Sequence, residues 1–342
     1  MIELHAVAEP QPGARFQARF EATWPAYRAW YLRDGDAARP SYLACRHALE
    51  LHMPELVPTW ERLTQLAGGG DLAARMLSLY DPPPLVTGCS QAVLTHPEPV
   101  LVRNYDFDPK LLEGVIALTA YTGRRVLGMS DCLWGVLDGV NDAGLAMSLA
   151  FGGRRVTGPG FAMPLIVRYL LELCATTREA VAVLSRLPVQ AAYNLTIVDR
   201  EGAAVTAHVG PDHAADIGRA LVATNHQRTV DWPEHAEAVR SQEREQCMLD
   251  LLDAGAGEDE FVAAFLEPPL YSTGNGFATL YTAVYRPLDA AVEYRWPGLT
   301  WRQSCAAFEE GMRAVRLLSS NPSSDSPHDV PGQENSALPS TG

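Results

Sequence analysis

The stretch Pro82-Pro83-Pro84-Leu85-Val86-Thr87-Gly88-Cys89-Ser90, with Val102-Arg103-Asn104-Tyr105-Asp106-Phe107 shortly after it, decides how the rest of the chain is read. Three prolines make a stiff, extended connector. The connector ends on a glycine followed by a cysteine. A run with strand character then supplies one arginine and one aspartate.

Upstream of this stretch, residues 15–80 read as helical. Phe16, Phe20, Trp24, Tyr27, Trp30 and Tyr31 recur at steps of three and four, the spacing of an amphipathic helix. A second helix begins after Ser41, a good N-cap, and is interrupted at Pro54 and Pro58. Gly68-Gly69-Gly70 ends it, and a short third helix follows Asp71.

Downstream of residue 91 the period shortens. Residues 99–103, 115–121, 125–129 and 145–150 read as strands, with Asn141-Asp142-Ala143-Gly144 as a hairpin turn. Helical spacing returns at 164–187, where Thr176-Thr177-Arg178-Glu179 is a capping-box start. Strands follow at 193–198, 203–209 and 220–224, then helices at 237–252 and 260–266, then strands at 278–285 and 291–296. Grouped strands and grouped helices argue for α+β layers and against a regularly alternating parallel sheet. Residues 319–342 are rich in Ser and Pro with almost no aliphatics, the composition of a disordered tail.

A chain of 342 residues with 47% hydrophobic content can bury a large core. Its net charge of -14, from 27 Lys+Arg against 41 Asp+Glu, repels phosphate backbones and anionic membrane surfaces, so neither nucleic acid nor a membrane is an expected partner. Met1-Ile2-Glu3-Leu4-His5 has neither the basic nor the apolar region of a secretory leader, and a cytoplasmic location is expected. Six cysteines without a C-x-x-C pair fit free thiols in a reducing compartment. With no H-E-x-x-H and no His/Cys cluster at ligand spacing, the expected metal and cofactor content is none.

A cysteine thiol needs a base to attack near neutral pH. Two sources are open. A distant His208 or His226 is one. The other is the α-amine that Cys89 would carry if the Gly88-Cys89 bond were cut, whose reference pKa of about 7.7 to 8.0 suits the task. Glycine at 88 suits self-cleavage, because it tolerates a strained peptide that the next residue's thiol can attack. Arg103 and Asp106 are either tuning groups for thiol and amine or a structural ion pair; three apart, they share a face only if the strand bends near Tyr105. Asn194, at the start of a strand, is either an oxyanion donor or a local turn residue.

Taken in order, Gly88-Cys89, Arg103 to Asp106, Gly139-Val140-Asn141-Asp142-Ala143-Gly144-Leu145-Ala146, Tyr193-Asn194-Leu195-Thr196, Thr224-Asn225-His226, Ser241 to Arg244 and Thr279 to Tyr285 resemble the serial landmarks of the acyl-coenzyme A:6-aminopenicillanate acyltransferase family. That family is a peptidase C45-like branch of the N-terminal-nucleophile hydrolases, related to choloylglycine hydrolases. The resemblance implies a four-layer αββα sandwich, with residues 1–88 as a helical pro-segment or small subunit and 89–318 as the hydrolase domain. It implies autoproteolysis before Cys89 and attack on a linear, non-peptide amide, with a small-molecule amide or an acyl-CoA donor as partner and the cut chains still associated. Carried over, Cys89 is nucleophile and base, Asp106 orients the amine, Arg103 tunes the thiolate and Asn194 helps form the oxyanion hole. Asn225 and Arg244 support the site, and Phe151 donates from its backbone. Ser90 stands where the family usually has threonine, and Leu149 to Gly152 lacks the asparagine of the bile-salt enzymes. An uncleaved Cys-His hydrolase and a catalytically silent binding protein are the competing readings.

Overall fold

A computed structural model describes residues 1–274 and 277–318. The Ser/Pro-rich stretch 319–342 and part of the Gly274-Asn275-Gly276 turn therefore lie outside the described residues.

In chain order the elements are β1 (Ile2–Ala8), α1 (Ala14–Tyr31), α2 (Tyr42–His52), α3 (Val57–Leu66), α4 (Asp71–Leu77), β2 (Gly88–Leu94), β3 (Val100–Phe107), β4 (Val115–Thr119), β5 (Val126–Asp131), β6 (Gly135–Asn141) and β7 (Ala146–Phe151). They continue as α5 (Met163–Leu173), α6 (Thr177–Leu184), β8 (Tyr193–Val198), β9 (Ala204–Gly210), β10 (His213–Gly218), β11 (Val222–Ala223), α7 (Pro233–Ala238), α8 (Ser241–Asp253) and α9 (Glu258–Ala264). The last are β12 (Ala278–Arg286), β13 (Ala291–Trp296), β14 (Leu299–Ser304) and β15 (Gly311–Val315).

Two sheets result. One has nine strands in the order β10-β9-β8-β7-β6-β5-β4-β1-β15, the other six in the order β11-β2-β3-β12-β13-β14. They pack face to face, β2 and β3 lying over β7 and β12 over β6. Helices α5 and α6 cover the outer face of the nine-stranded sheet, and α8 that of the six-stranded sheet. A smaller apolar cluster of Ala92, Val102, Met248, Phe261, Phe265 and Val284 seals that last interface. The molecule is thus the expected α+β, αββα sandwich.

Local chemistry explains several boundaries. Ser41 accepts a hydrogen bond from the Ala44 N–H at 3.3 Å, and Thr176 accepts one from Glu179 N–H at 3.3 Å, each satisfying an orphan donor of the first turn. Asn141 Oδ1 accepts from Ala143 N–H and Leu145 N–H, which closes the β6–β7 hairpin. The charged stretch expected as one helix over 237–252 is two, because Arg240 takes a left-handed φ of 51° between α7 and α8.

The expectation of a purely helical 1–88 segment is corrected. Ile2-Glu3-Leu4-His5-Ala6 alternates buried and exposed side chains and forms β1, an interior strand of the nine-stranded sheet. It pairs in parallel with β4 and antiparallel with β15, the one parallel pairing among the described residues of that sheet. The N-terminal helices then lock on through Trp134 Nε1–H to the Leu77 carbonyl at 2.9 Å and Tyr169 O–H to Glu55 at 2.7 Å.

Leu4 is wholly buried in β1. Leu4→Ala should therefore lower unfolding free energy by about 2–5 kcal/mol in urea titration, whereas a dispensable N-terminal arm would show no change.

Candidate active site

Strand alternation sorts the residues of β2 and β3 between two faces. Cys89 pairs with Tyr105, Gln91 with Arg103, Ser90 with Asn104, and Gly88 with Asp106. Cys89, Gln91 and Arg103 point between the sheets; Ser90, Asn104 and Asp106 point towards the α8–α9 layer. Arg103 and Asp106 therefore serve opposite faces, and the bend expected near Tyr105 is not needed: β3 runs unbroken through Phe107.

Between the sheets, the Cys89 thiol is buried and has Thr87 Oγ1 at 3.6 Å and Arg103 Nη2 at 3.5 Å. Arg103 is itself buried, with its other Nη donating to Asp138. Asp138 also accepts from the Tyr281 hydroxyl at 2.6 Å and from the Tyr285 hydroxyl. Burial works against the guanidinium charge, but Asp138 and Tyr281 outweigh it and hold Arg103 protonated. Burial pushes the Cys89 thiol up, and Arg103 pulls only partly against it, so with the chain continuous this is a neutral thiol that needs a base.

A different set surrounds the Cys89 backbone nitrogen. Its N–H donates to Asn225 Oδ1 at 2.7 Å, and the same oxygen accepts from Arg244 Nη2 at 2.8 Å. Arg244 Nη1 donates to Asp106 Oδ2 at 2.8 Å and to Ser90 Oγ at 2.9 Å. Asp106 completes its shell with the Thr279 hydroxyl at 2.7 Å. A bulge in β12 between Thr279 and Tyr281 aims Thr279 at Asp106 on one face and Tyr281 at Asp138 on the other. Gly88 lies against this group: a Cβ there would stand 3.1 Å from Asp106 Cβ. Burial raises the Asp106 carboxyl and Arg244 draws it back.

Asn225 Nδ2 donates to the Thr87 carbonyl at 3.1 Å and the Phe151 carbonyl at 3.0 Å. All its amide valences are thus used, two on the Cys89 neighbourhood and two on the backbone flanking it. Ser241, the first residue of α8, accepts from the Asn225 N–H at 2.8 Å and sets its position.

Two of the expected site residues make contacts other than those expected. Asn194 is the expected oxyanion donor, but its Nδ2 donates to the Thr224 carbonyl at 2.9 Å and the His226 carbonyl at 2.7 Å. It holds the strand end that presents Asn225, and Asn225 is the amide that reaches Cys89. Phe151 is expected to donate from its backbone; what it offers Asn225 is its carbonyl, an acceptor. The histidine alternatives also fall elsewhere: His208 Nδ1 meets Asn194 Oδ1 at 2.8 Å, and His226 meets Ser241 and Glu245. Sequence reasoning does not single out Asp138, Tyr281 or Tyr285, although the two tyrosines sit four apart on one strand, the same-face spacing that signals a shared partner.

At the edge of this region Asp131, buried at the end of β5, has its carboxyl pushed up to about 7 by burial and by Glu113. Among the described residues, no helix is long and apolar enough to cross a membrane.

An αββα sandwich with a buried cysteine at the head of an inner strand, and separate polar sets around its sulfur and its nitrogen, has the architecture of the N-terminal-nucleophile hydrolases. The chain belongs to the acyl-coenzyme A:6-aminopenicillanic acid acyl-transferase family, whose model matches residues 93–300 and so spans Arg103 through Tyr285 while starting just after Cys89. The family's enzymes transfer acyl groups, and this chain is an enzyme of that family. Among solved structures, a mutant conjugated bile acid hydrolase from Clostridium perfringens aligns at 12% identity over 69% of this chain and 100% of its own, with TM-score 0.47. Penicillin V acylase from Agrobacterium tumefaciens aligns at 15% identity over 64% and 86%, TM-score 0.46. The Caenorhabditis elegans N-acylethanolamine-hydrolyzing acid amidase ortholog aligns at 16% identity over 67% and 100%, TM-score 0.46. No curated protein matches the chain significantly.

Arg244→Met should strip Asp106 of its buried cationic partner and destabilise the fold by about 3–5 kcal/mol in urea titration; a loss under about 1 kcal/mol would mean the pair contributes little. For Asp131 the folded pKa lies above the unfolded one, so its stabilising effect is complete in acid and is lost as pH rises through about 7. Asp131→Asn should therefore raise the melting temperature at pH 8 by a few degrees, with the gain vanishing near pH 4.

Proposed function

We propose that the chain is an autoproteolytically activated cysteine amidohydrolase or acyltransferase, with Gly88-Cys89 the self-cleaved bond. The observation that carries this reading is the polar set around the Cys89 nitrogen: Asn225 accepts its N–H at 2.7 Å, and Arg244 and Asp106 stand behind Asn225 in one buried chain of contacts. Burying such charges costs several kcal/mol per ion unless they are paired and used. A cysteine acting through sulfur alone has no need of them at its nitrogen; a cysteine that becomes an α-amine does.

In the activating step the Cys89 sulfur attacks the Gly88 carbonyl carbon and the thiol proton passes to the peptide nitrogen. The C–N bond breaks, leaving a thioester and a free α-amine. Water then hydrolyses the thioester to the Gly88 carboxylate and restores the thiol. In turnover the amine, with a reference pKa of about 7.7 to 8.0, takes the thiol proton as sulfur attacks the substrate's amide carbon. The amine proton goes to the departing substrate nitrogen, and the acyl-Cys89 thioester passes to water or to an acceptor amine.

Arg103 lies beside the sulfur and favours the thiolate. Asp106 and Arg244 orient the amine. Asn225 is the oxyanion donor: once residues 87–88 leave, the Nδ2–H now on the Thr87 carbonyl is free for the substrate oxygen. The substrate class is a small linear amide, with an acyl-CoA as donor in the transfer direction. The cut chains stay together because β1 lies hydrogen-bonded between β4 and β15. Six free cysteines suit a cytoplasmic setting.

Intact mass of the purified wild type should show two chains, the larger beginning at Cys89, and Cys89→Ala should remain a single chain. Cleavage that persists in Cys89→Ala would sink the mechanism. Asn225→Leu introduced into processed enzyme by co-expression of the two chains should lower kcat on an N-acyl amide about a hundredfold or more.

A further inference from the structure

One face of α8 carries Ser241, Arg244 and Glu245, at the i, i+3 and i+4 positions, and all three meet the segment Thr224-Asn225-His226. Arg244 holds the Asn225 side chain, donating to Oδ1 at 2.8 Å. Ser241 holds its backbone, accepting the Asn225 N–H at 2.8 Å. The Ser241 oxygen also stands 2.9 Å from Thr224 Oγ1 and 2.8 Å from His226 Nδ1, and His226 Nε2 stands 3.1 Å from Glu245 Oε2. The His226 carbonyl is tied separately, by Asn194 Nδ2 at 2.7 Å, so the ring is not what holds the chain there.

A serine, a histidine and a carboxylate in line have the make-up of a nucleophilic triad, but the hydrogens fall into a different pattern. A carboxylate only accepts, so His226 Nε2 carries the hydrogen that Glu245 receives, and Nδ1 of the neutral ring is an acceptor. Ser241 then donates its O–H to Nδ1 and accepts from the Asn225 N–H and the Thr224 O–H. Both lone pairs of this wholly buried oxygen are taken, which leaves none for attack on a substrate. The opposite tautomer does not close. With the hydrogen on Nδ1, three donors would converge on those two lone pairs, or Ser241 would turn its O–H to Thr224 and leave the Thr224 hydrogen with no acceptor among the described residues. The Glu245 side chain is 33% exposed, so one directed chain of hydrogen bonds runs from the surface to the residue that meets Cys89.

We propose that His226 is a positioning residue for Asn225: Glu245 sets its tautomer, the ring sets the Ser241 hydroxyl, and the Ser241 oxygen sets the backbone of the residue whose amide reaches Cys89. This rests on the reading of Asn225 as the oxyanion donor. Such a donor acts at about 2.7–3.1 Å from the developing charge, and a misplacement of about 1 Å can cost about a hundredfold in rate. Loosening the hold on Asn225 therefore lowers kcat and spares KM, because the interaction lost belongs to the transition state.

Two measurements test the relay. Nitrogen-15 NMR of histidine-labelled, uncut Cys89→Ala chain, with the His226 signal assigned by its loss in His226→Asn, should show the Nε2–H tautomer at pH 8. An Nδ1–H tautomer would overturn the proposal. On the processed full-length enzyme with an N-acyl p-nitroanilide, His226→Leu should lower kcat about tenfold or more and leave KM within about twofold. His226→Asn, whose Oδ1 takes the place of Nδ1 as acceptor, should recover most of that loss, and His226→Gln, which replaces Nε2 instead, should not. Equal kcat in the Leu and Asn variants, or a loss that falls on KM, would contradict the positioning role. A chain that is never cut would sink the proposed function, while the tautomer of the uncut chain would still decide the relay, so the two failures are distinguishable.

Discussion

The hydrogen bond from the Cys89 N–H to Asn225 Oδ1 is the contact on which the rest of the site depends. Asn225 has four amide valences and spends them on Cys89, Arg244, Thr87 and Phe151. That fixes the end of β11 against the head of β2 and carries the Arg244–Asp106 ion pair to the Gly88–Cys89 peptide. Asn194, Ser241 and Thr279 each hold one member of this group in place. The cost of so much buried polarity is met by completing the hydrogen bonds of each side-chain oxygen in it.

The sandwich allows two unlike environments around one residue. Because side chains alternate along β2 and β3, the sulfur meets Arg103, which Asp138 and its two tyrosines hold between the sheets, while the peptide nitrogen meets Asn225, which the charged pair under α8 backs. The groups at the sulfur and those at the nitrogen are thereby separated by the pleat. The match to the acyl-coenzyme A:6-aminopenicillanic acid acyl-transferase family, to which this chain belongs, runs through the whole of the supporting set, Arg103 to Tyr285.

Much of this was legible in the sequence. Periodicity located α1 to α6 and most strands, since a buried face repeats at 3.6 or 2 residues whatever packs on it. The resemblance picked out Cys89, Arg103, Asp106, Asn225 and Arg244, which the fold does gather. What stayed hidden depended on contacts between distant segments. Asn194 and Asn225 both flank strands, and only the partner of each amide separates a positioning residue from one that reaches Cys89. The bulge near Leu280, which sends Thr279 and Tyr281 to opposite faces, leaves no mark in residue order. β1 did show an alternating pattern, Ile2-Glu3-Leu4-His5-Ala6, but its parallel pairing with β4 is a matter of tertiary geometry.

The central claim is that one residue supplies both sulfur and amine. The most direct measurement is acid-quench peptide mass spectrometry of enzyme mixed with an N-acyl amide. The account predicts an acyl group on a peptide that begins at Cys89, attached through sulfur and released by hydroxylamine. An acyl group on another cysteine, or on Cys89 still joined to Gly88, would contradict it.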